Sequence, residues 1–199
     1  MIVVTSTRRP NPRIRAFCND LAASLPGGVR VNRGKKSIEE LALKAYELKA
    51  STVIIVGAGK GGNPGRIIFL KVVSEKYFFY PLILGVAGVK LSREMEEVSR
   101  PPEVKEAAVV TLAPHSEDIK ELANNLADAL ELYFLEVGAF TEVARLKPPF
   151  DVIIFVEQAY GKIRAVIKFF NPLNLKPCGP KIMINKVVYK AIPIERETL

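Results

Sequence analysis

Apolar residues along the chain fall into two alternating patterns. Ile2-Val3-Val4-Thr5 is a short, largely β-branched run that predicts a buried strand, and Ser6 to Asn11 reads as a polar turn. Pro12 suits the first turn of a helix, and Ile14, Phe17, Leu21 and Leu25 then recur at spacings of three and four until Pro26-Gly27-Gly28 stops the pattern. Val29 to Val31 is a brief extended piece. Ser37 and Glu40 have the spacing of a capping box, and the helix it opens carries Ile38, Leu41, Ala42, Ala45 and Leu48 on one face. Thr52 to Val56 is an unbroken run of the kind found in a central strand covered on both faces.

The second part of the chain repeats this order. Val3-Val4-Thr5 matches Val109-Val110-Thr111 at an offset of 106, and Phe17, Asn19, Leu21, Ala22 and Leu25 match Leu122, Asn124, Leu126, Ala127 and Leu130 at an offset of 105. Val53-Ile54-Ile55 matches Val152-Ile153-Ile154, and Arg66 before an apolar strand matches Arg164 before Ala165-Val166-Ile167. The pattern predicts an α/β fold of two similar halves from an internal duplication, each a mixed sheet with helices. Half one spans about 1–90 and half two about 105–199, divided near Arg100-Pro101-Pro102.

Charge separates what the apolar pattern makes alike. The 199 residues carry 29 basic and 21 acidic side chains, a net charge of +8. Residues 1–36 hold eight basic groups against the single acid Asp20, whereas residues 92–142 hold four basic groups against twelve acids. A polarised surface of this kind steers a polyanion to one face, while an evenly spread excess mainly maintains solubility. The length suffices to bury a core without disulfides or a structural metal. Cys18, Cys178 and His115 are too few for a zinc site, which takes about four ligands. No signal peptide is visible, and no apolar run approaches the ~20 residues that span a bilayer, so a cytoplasmic protein with no membrane association is expected.

Four segments are candidates for chemistry. Gly57-Ala58-Gly59-Lys60-Gly61-Gly62 fits the G-x-G-x-x-G spacing, but that fingerprint needs a following helix to hold a pyrophosphate, and Arg66 to Leu70 reads as a strand. A hairpin loop that offers Lys60 is the better description, and no nucleotide or other cofactor is expected. The turn Ser6-Thr7-Arg8-Arg9, with Arg13 and Arg15 at the helix start, gathers hydroxyls and guanidinium forks suited to phosphate oxygens. Arg33-Gly34-Lys35-Lys36 is a second basic turn and joins the first if both lie on one edge of the sheet. Basic residues from Lys162 to Lys190 interleave with Phe169, Phe170 and Tyr189, which suits base stacking, although Phe169 and Phe170 fit a strand core better. For an enzyme there is little: His115 has the setting of a neutral surface histidine at a helix start. Cys18 reads as a small, partly buried helical residue and Cys178 as a free thiol in a loop.

Several of these residues carry a family resemblance. Val4-Thr5-Ser6-Thr7-Arg8-Arg9-Pro10, Arg13 and Phe17, Leu25-Pro26, Asn32-Arg33-Gly34-Lys35 and Gly61-Gly62-Asn63-Pro64 resemble, in order, the N-terminal signature of the Brix-domain proteins of ribosome biogenesis, in their minimal archaeal form. Cys178-Gly179-Pro180-Lys181 is similar to the Gly-Pro segment near that domain's end, described in the family as a sigma-factor-like RNA-binding motif. The resemblance implies halves similar to the anticodon-binding domain of class IIa aminoacyl-tRNA synthetases. It also implies non-catalytic binding of rRNA or pre-rRNA during processing and subunit assembly. RNA contacts are expected at Ser6, Thr7, Arg8, Arg9, Arg13, Arg15, Arg33, Lys35, Lys36, Lys60, Arg66 and Lys181, with other assembly factors docking on the acidic second half. The competing reading is a protein-interaction adaptor whose basic face only keeps it soluble.

Overall fold

In the computed structural model, which describes residues 1–145 and 150–194, the strands join into one mixed sheet of ten. β1 (Ile2–Ser6) lies between β2 (Val29–Arg30) and β3 (Thr52–Ala58), parallel to both, and β4 (Pro64–Val73) and β5 (Lys76–Lys90) continue as antiparallel strands. β6 (Ala107–Leu112) lies between β7 (Tyr133–Val137) and β8 (Val152–Gln158) in the same parallel manner, followed by antiparallel β9 (Ala165–Phe170) and β10 (Lys181–Val188). β5 and β10 pair antiparallel at the centre, giving the order β2-β1-β3-β4-β5-β10-β9-β8-β6-β7. This order reads the same from either end when β1–β5 are matched with β6–β10. The central antiparallel pair has a further consequence: loops that follow β1, β2 and β3 lie at one end of the sheet, and loops that follow β6, β7 and β8 lie at the other.

Helices α1 (Pro12–Ala22) and α3 (Glu117–Leu130) cover one face of this sheet, and α2 (Ile38–Glu47) covers the other face over β1, β3 and β4. Both N-terminal caps follow the sequence pattern. Asn11 Oδ1 accepts from Ile14 N at 2.9 Å, and Ser37 and Glu40 close a reciprocal capping box, with Glu40 N on Ser37 Oγ at 3.0 Å and Ser37 N on Glu40 Oε2 at 2.6 Å. Ile14, Phe17, Leu21 and Leu25 share one apolar cluster with Ile119, Leu122, Leu126 and Leu130, so the offset of 105 preserves the buried helix face. An apolar cavity of about 30 Å³ remains where the halves meet, lined in corresponding pairs such as Leu21 with Leu126, Ile54 with Ile154 and Phe69 with Phe169.

The strand matches need correction. Val3 and Val53 pack under α2, whereas Val109 and Val152 face α1 and α3, so the matches of Val3 with Val109 and of Val53 with Val152 place partners on opposite faces. Strand pairing supplies the right phase. Ile54 pairs with Phe69 as Ile154 pairs with Phe169, and Val56 with Ile67 as Val156 with Ile167, a constant offset of 100. Arg66 therefore corresponds to Val166 rather than Arg164. A slip of one residue flips every side chain to the other face, and β-branched runs such as these look alike in either phase. The two sets of five strands also differ: between β7 and β8 the described residues form a 3-10 turn, Phe140–Arg145, where α2 lies between β2 and β3. Phe140 covers that face instead, packing edge-on against Phe155 and Phe170.

Candidate nucleic-acid interface

The three loops after β1, β2 and β3 meet at one end of the sheet, as parallel neighbours require. Thr7 N donates to Val56 O at 2.8 Å, Arg8 Nη2 reaches Lys35 O at 3.4 Å, and Asn11 Nδ2 donates to Gly62 O at 2.6 Å. The two basic turns therefore do share an edge. This edge, outside the carboxyl ends of parallel strands, is where open α/β sheets hold their ligands.

Arg13 fixes the loops relative to one another. Its Nε donates to Asn63 Oδ1 at 2.7 Å, Nη1 and Nη2 form a fork on Glu94 at 2.5 and 3.0 Å, and Nη2 also donates to Val89 O at 3.0 Å. One guanidinium thus ties α1 to the loop after β3 and to the end of β5, and the fork geometry is what a lysine could not supply. The Glu94 carboxyl is held down at about 2 by the hydrogen bonds from Arg13 and from Leu91 N. The glycine-rich loop has a structural reason as well. A side chain on Gly59 would lie 2.7 Å from Gly65 Cα, so the two ends of the loop cross with no room for a Cβ, and β4 follows where a dinucleotide site would need a helix.

The remaining cations differ from Arg13 in making no ion pair among the described residues, and Glu40 feels two of them, its carboxyl being held down by its hydrogen bonds to Ser37 and then by Lys36 and Arg8. Arg8, Arg9, Arg15, Lys35 and Lys60 are exposed, Arg33 and Lys36 half-buried. No carboxylate lies within ion-pair distance of any of these seven among the described residues. Arg9 is held at φ +55°, a left-handed conformation costly for a residue with a side chain. Arg33 Nε donates to Lys36 O at 2.8 Å, and burial followed by repulsion from Arg8 lowers its pKa. Arg66 is exposed on β4, and Lys181, half-buried at the start of β10, pairs across the sheet with Lys90 at the end of β5. Lys90 and the exposed Arg93 belong to the same end of the molecule, and neither stood out in the sequence. Their signal is topological, because the antiparallel succession of β3, β4 and β5 returns the end of β5 to this edge, where the β5–β10 pairing adds Lys181.

Two expected positions behave differently. Ser6 is only 4% exposed, at the end of β1. In the Gly-Pro segment, Cys178, Gly179 and Pro180 are buried against the end of α1, where Ser24 Oγ donates to Cys178 O at 3.3 Å, and only Lys181 emerges. Cys18 is fully buried rather than partly, and burial pushes both thiols up to about 12. At the opposite edge the turn after β8 carries Lys162 and Arg164, and Arg164 lies 3.9 Å from Asp118. There His115 Nδ1 sits 3.0 Å from Thr111 Oγ1, with its pKa lowered by burial, and Ser116 N donates to Gln158 Oε1 at 2.9 Å.

No protein-family model matches the chain. A probable Brix domain-containing ribosomal biogenesis protein of Aeropyrum pernix is 32% identical over 191 residues, covering 92% of this chain and 94% of that protein. The chain belongs to this Brix family. A Brix relative from Thermococcus kodakarensis is 34% identical over 188 residues, covering 92% of the chain and 89% of its own length. The crystal structure of a probable ribosomal biogenesis protein from Aeropyrum pernix K1 superposes with a TM-score of 0.72 at 26% identity, over 100% of this chain and 98% of that one. An archaeal Imp4-like protein shares the fold, with a TM-score of 0.61 at 18% identity over 94% and 99% of the two chains. The segments that resemble the Brix signature, Thr5 to Pro10, Asn32 to Lys35 and Gly61 to Pro64, belong to the three loops that converge at the basic edge.

Proposed function

We propose that this Brix protein is a non-catalytic ribosome biogenesis factor that binds rRNA or pre-rRNA through the edge formed by the loops after β1, β2 and β3. The observation that carries this reading is the set of cations there without carboxylate partners. Phosphates would neutralise them and release counterions, which supplies most of the affinity in backbone recognition. Thr7, Arg8, Arg9, Arg15, Arg33, Lys35, Lys36, Lys60, Arg66 and Lys181 form the proposed contact set. Ser6 is left out because it is buried, and Arg13 because its donors are engaged within the fold.

The acids of α3 contrast with this edge. Glu117 pairs with Lys120 at 3.0 Å and Asp118 with Arg164 at 3.9 Å, Asp128 accepts from Tyr80 Oη at 2.7 Å, and Glu131 holds Lys71. Glu117 and Asp118 nonetheless keep 88% and 80% of their side chains exposed, and Glu121 pairs with no cation among the described residues, so docking of a partner on this surface is the competing reading. The matched strand order further supports our reading of the chain as one domain of two duplicated halves, about 1–90 and 105–199. Recovering partners from extract with and without RNase tests the function: partners lost on RNase treatment support RNA binding, and partners retained in full support the adaptor.

A further inference from the structure

We infer that the RNA path does not stop at the loop edge but crosses the open face of the sheet between its two halves, resting on a row formed by Arg66 and Lys186. This inference rests on the proposed RNA binding and extends it to a surface that the loops do not include. Cross-strand pairing defines the row: Gly57 lies opposite Arg66, Arg66 opposite Gly85, and Gly85 opposite Lys186, one position on each of β3, β4, β5 and β10. Directly paired residues project on the same face. Here that is the face of α2, because Val56 and Leu84, adjacent to two of these glycines, point into the cluster under α1 and α3.

Among the described residues, Arg66 and Lys186 are exposed at this row. α2 sits over β1, β3 and β4 on one side, Phe140 packs on Phe155 and Phe170 on the other, and Arg66 and Lys186 between them are exposed. Neither makes an ion pair or a side-chain hydrogen bond among the described residues. Gly85 explains how Lys186 crosses the strand, since a Cβ there would stand 2.9 Å from Lys186 Cβ. The two cations lie two strand spacings apart, about 10 Å, and further along β5 and β10 the pair Lys90 and Lys181 adds two more charges near the loop edge. Four cations on one face, none of them in an ion pair among the described residues, are complementary to a phosphate backbone. A flat sheet face suits a single strand, which can lie across it with its bases free to stack or turn away.

The experiment compares charge reversal on the sheet, Arg66→Glu with Lys186→Glu, and at the edge, Arg8→Glu with Arg9→Glu, using the full chain and a labelled single-stranded oligouridine across a salt series. Arg66→Gln with Lys186→Gln serves as a milder pair should reversal disturb folding. The expected result is about a tenfold or greater loss of affinity for both sets, with the salt slope of the sheet variant reduced by roughly 0.7 for each phosphate no longer neutralised. An edge variant that weakens while both sheet variants bind like the parent overturns the sheet path and removes Arg66 from the contact set, leaving RNA binding by the loop cations intact. If neither set weakens, both fall. Binding of polyglutamate at the parent's RNA affinity, abolished in the sheet variants while oligouridine binding is kept, overturns the inference in favour of an acidic protein partner.

Discussion

Lys71 Nζ lies 2.5 Å from Glu131 Oε1, and this contact joins the two halves of the sheet through one buried cation. Lys71, on β4, also donates to Thr52 Oγ1 at 3.0 Å and to Ala129 O at 3.4 Å, and Ser51 Oγ donates to the second Glu131 oxygen at 2.6 Å. Ala129 O is one of the last carbonyls of α3, so the ammonium also meets the negative end of a helix. Only 8% of the Lys71 side chain is exposed against 49% of Glu131, so the pair is screened from one side. Glu131→Gln should lower stability by about 2 kcal/mol, below the ~3–5 kcal/mol of a fully buried pair, because it leaves the buried Lys71 ammonium without its carboxylate, and Lys71→Met by less, because Glu131 keeps half of its side chain in water. Urea unfolding of both variants measures this, and no change in Glu131→Gln would mean that the halves are not held here.

Acid should loosen the Arg13 clamp. The Glu94 pKa is lowered from 4.5 to about 2, chiefly by the Arg13 hydrogen bond, so the folded state favours the ionised form. The stabilisation is complete above the unfolded value of 4.5 and is lost as pH falls from there toward 2. Glu94→Gln is therefore expected to unfold more readily than the parent at pH 7, with the difference shrinking through that window. Thermal melts at stepped pH values read it, and a difference that grew on acidification would contradict the assignment.

Arg9 allows stability and binding to be moved in opposite directions. At φ +55° its backbone is costly for any residue with a Cβ, and relief of about 1 kcal/mol is expected from glycine, less the entropy that glycine adds to the unfolded chain. Arg9→Gly should match or exceed the parent in Tm while binding rRNA more weakly. A variant less stable than the parent with unchanged binding would reverse the role given to this residue.

Both cysteines should be inert while the chain is folded. Cys18 and Cys178 are fully buried, and desolvation raises each thiol to about 12. A chromogenic disulfide reagent at pH 8 should find no reactive thiol in the native protein and two after denaturation. Rapid native labelling at Cys178 would show that the buried Gly-Pro segment opens.

Helix positions were legible in the sequence because helices announce their register. Pro12, Ser37 and Glu40 mark where helices begin, and the spacing of Phe17, Leu21 and Leu25 fixes which face is buried. Strand phase was not legible at Val3 and Val53, where runs of β-branched residues are apolar on both faces and carry no alternation to set it. Arg13 looked like its neighbours Arg9 and Arg15 because its acid, Glu94, is 81 residues away and meets it only through the fold. Lys186 gave no signal apart from other lysines, since its neighbour Arg66 is set by strand pairing across β5. The segregation of charge was visible from composition, and what only three-dimensional structure added is which cations already have partners.

The central claim is that unpaired cations at the loop edge bind rRNA, and the salt dependence of affinity tests it most directly. In filter-binding titrations of an rRNA transcript at several salt concentrations, the parent should lose affinity steeply as salt rises. Arg8→Glu with Arg9→Glu and Arg33→Glu should bind more weakly with a shallower slope, by about one for each phosphate left without its cation. An absence of rRNA binding by the parent, or an affinity and slope unchanged by these three reversals, would contradict it.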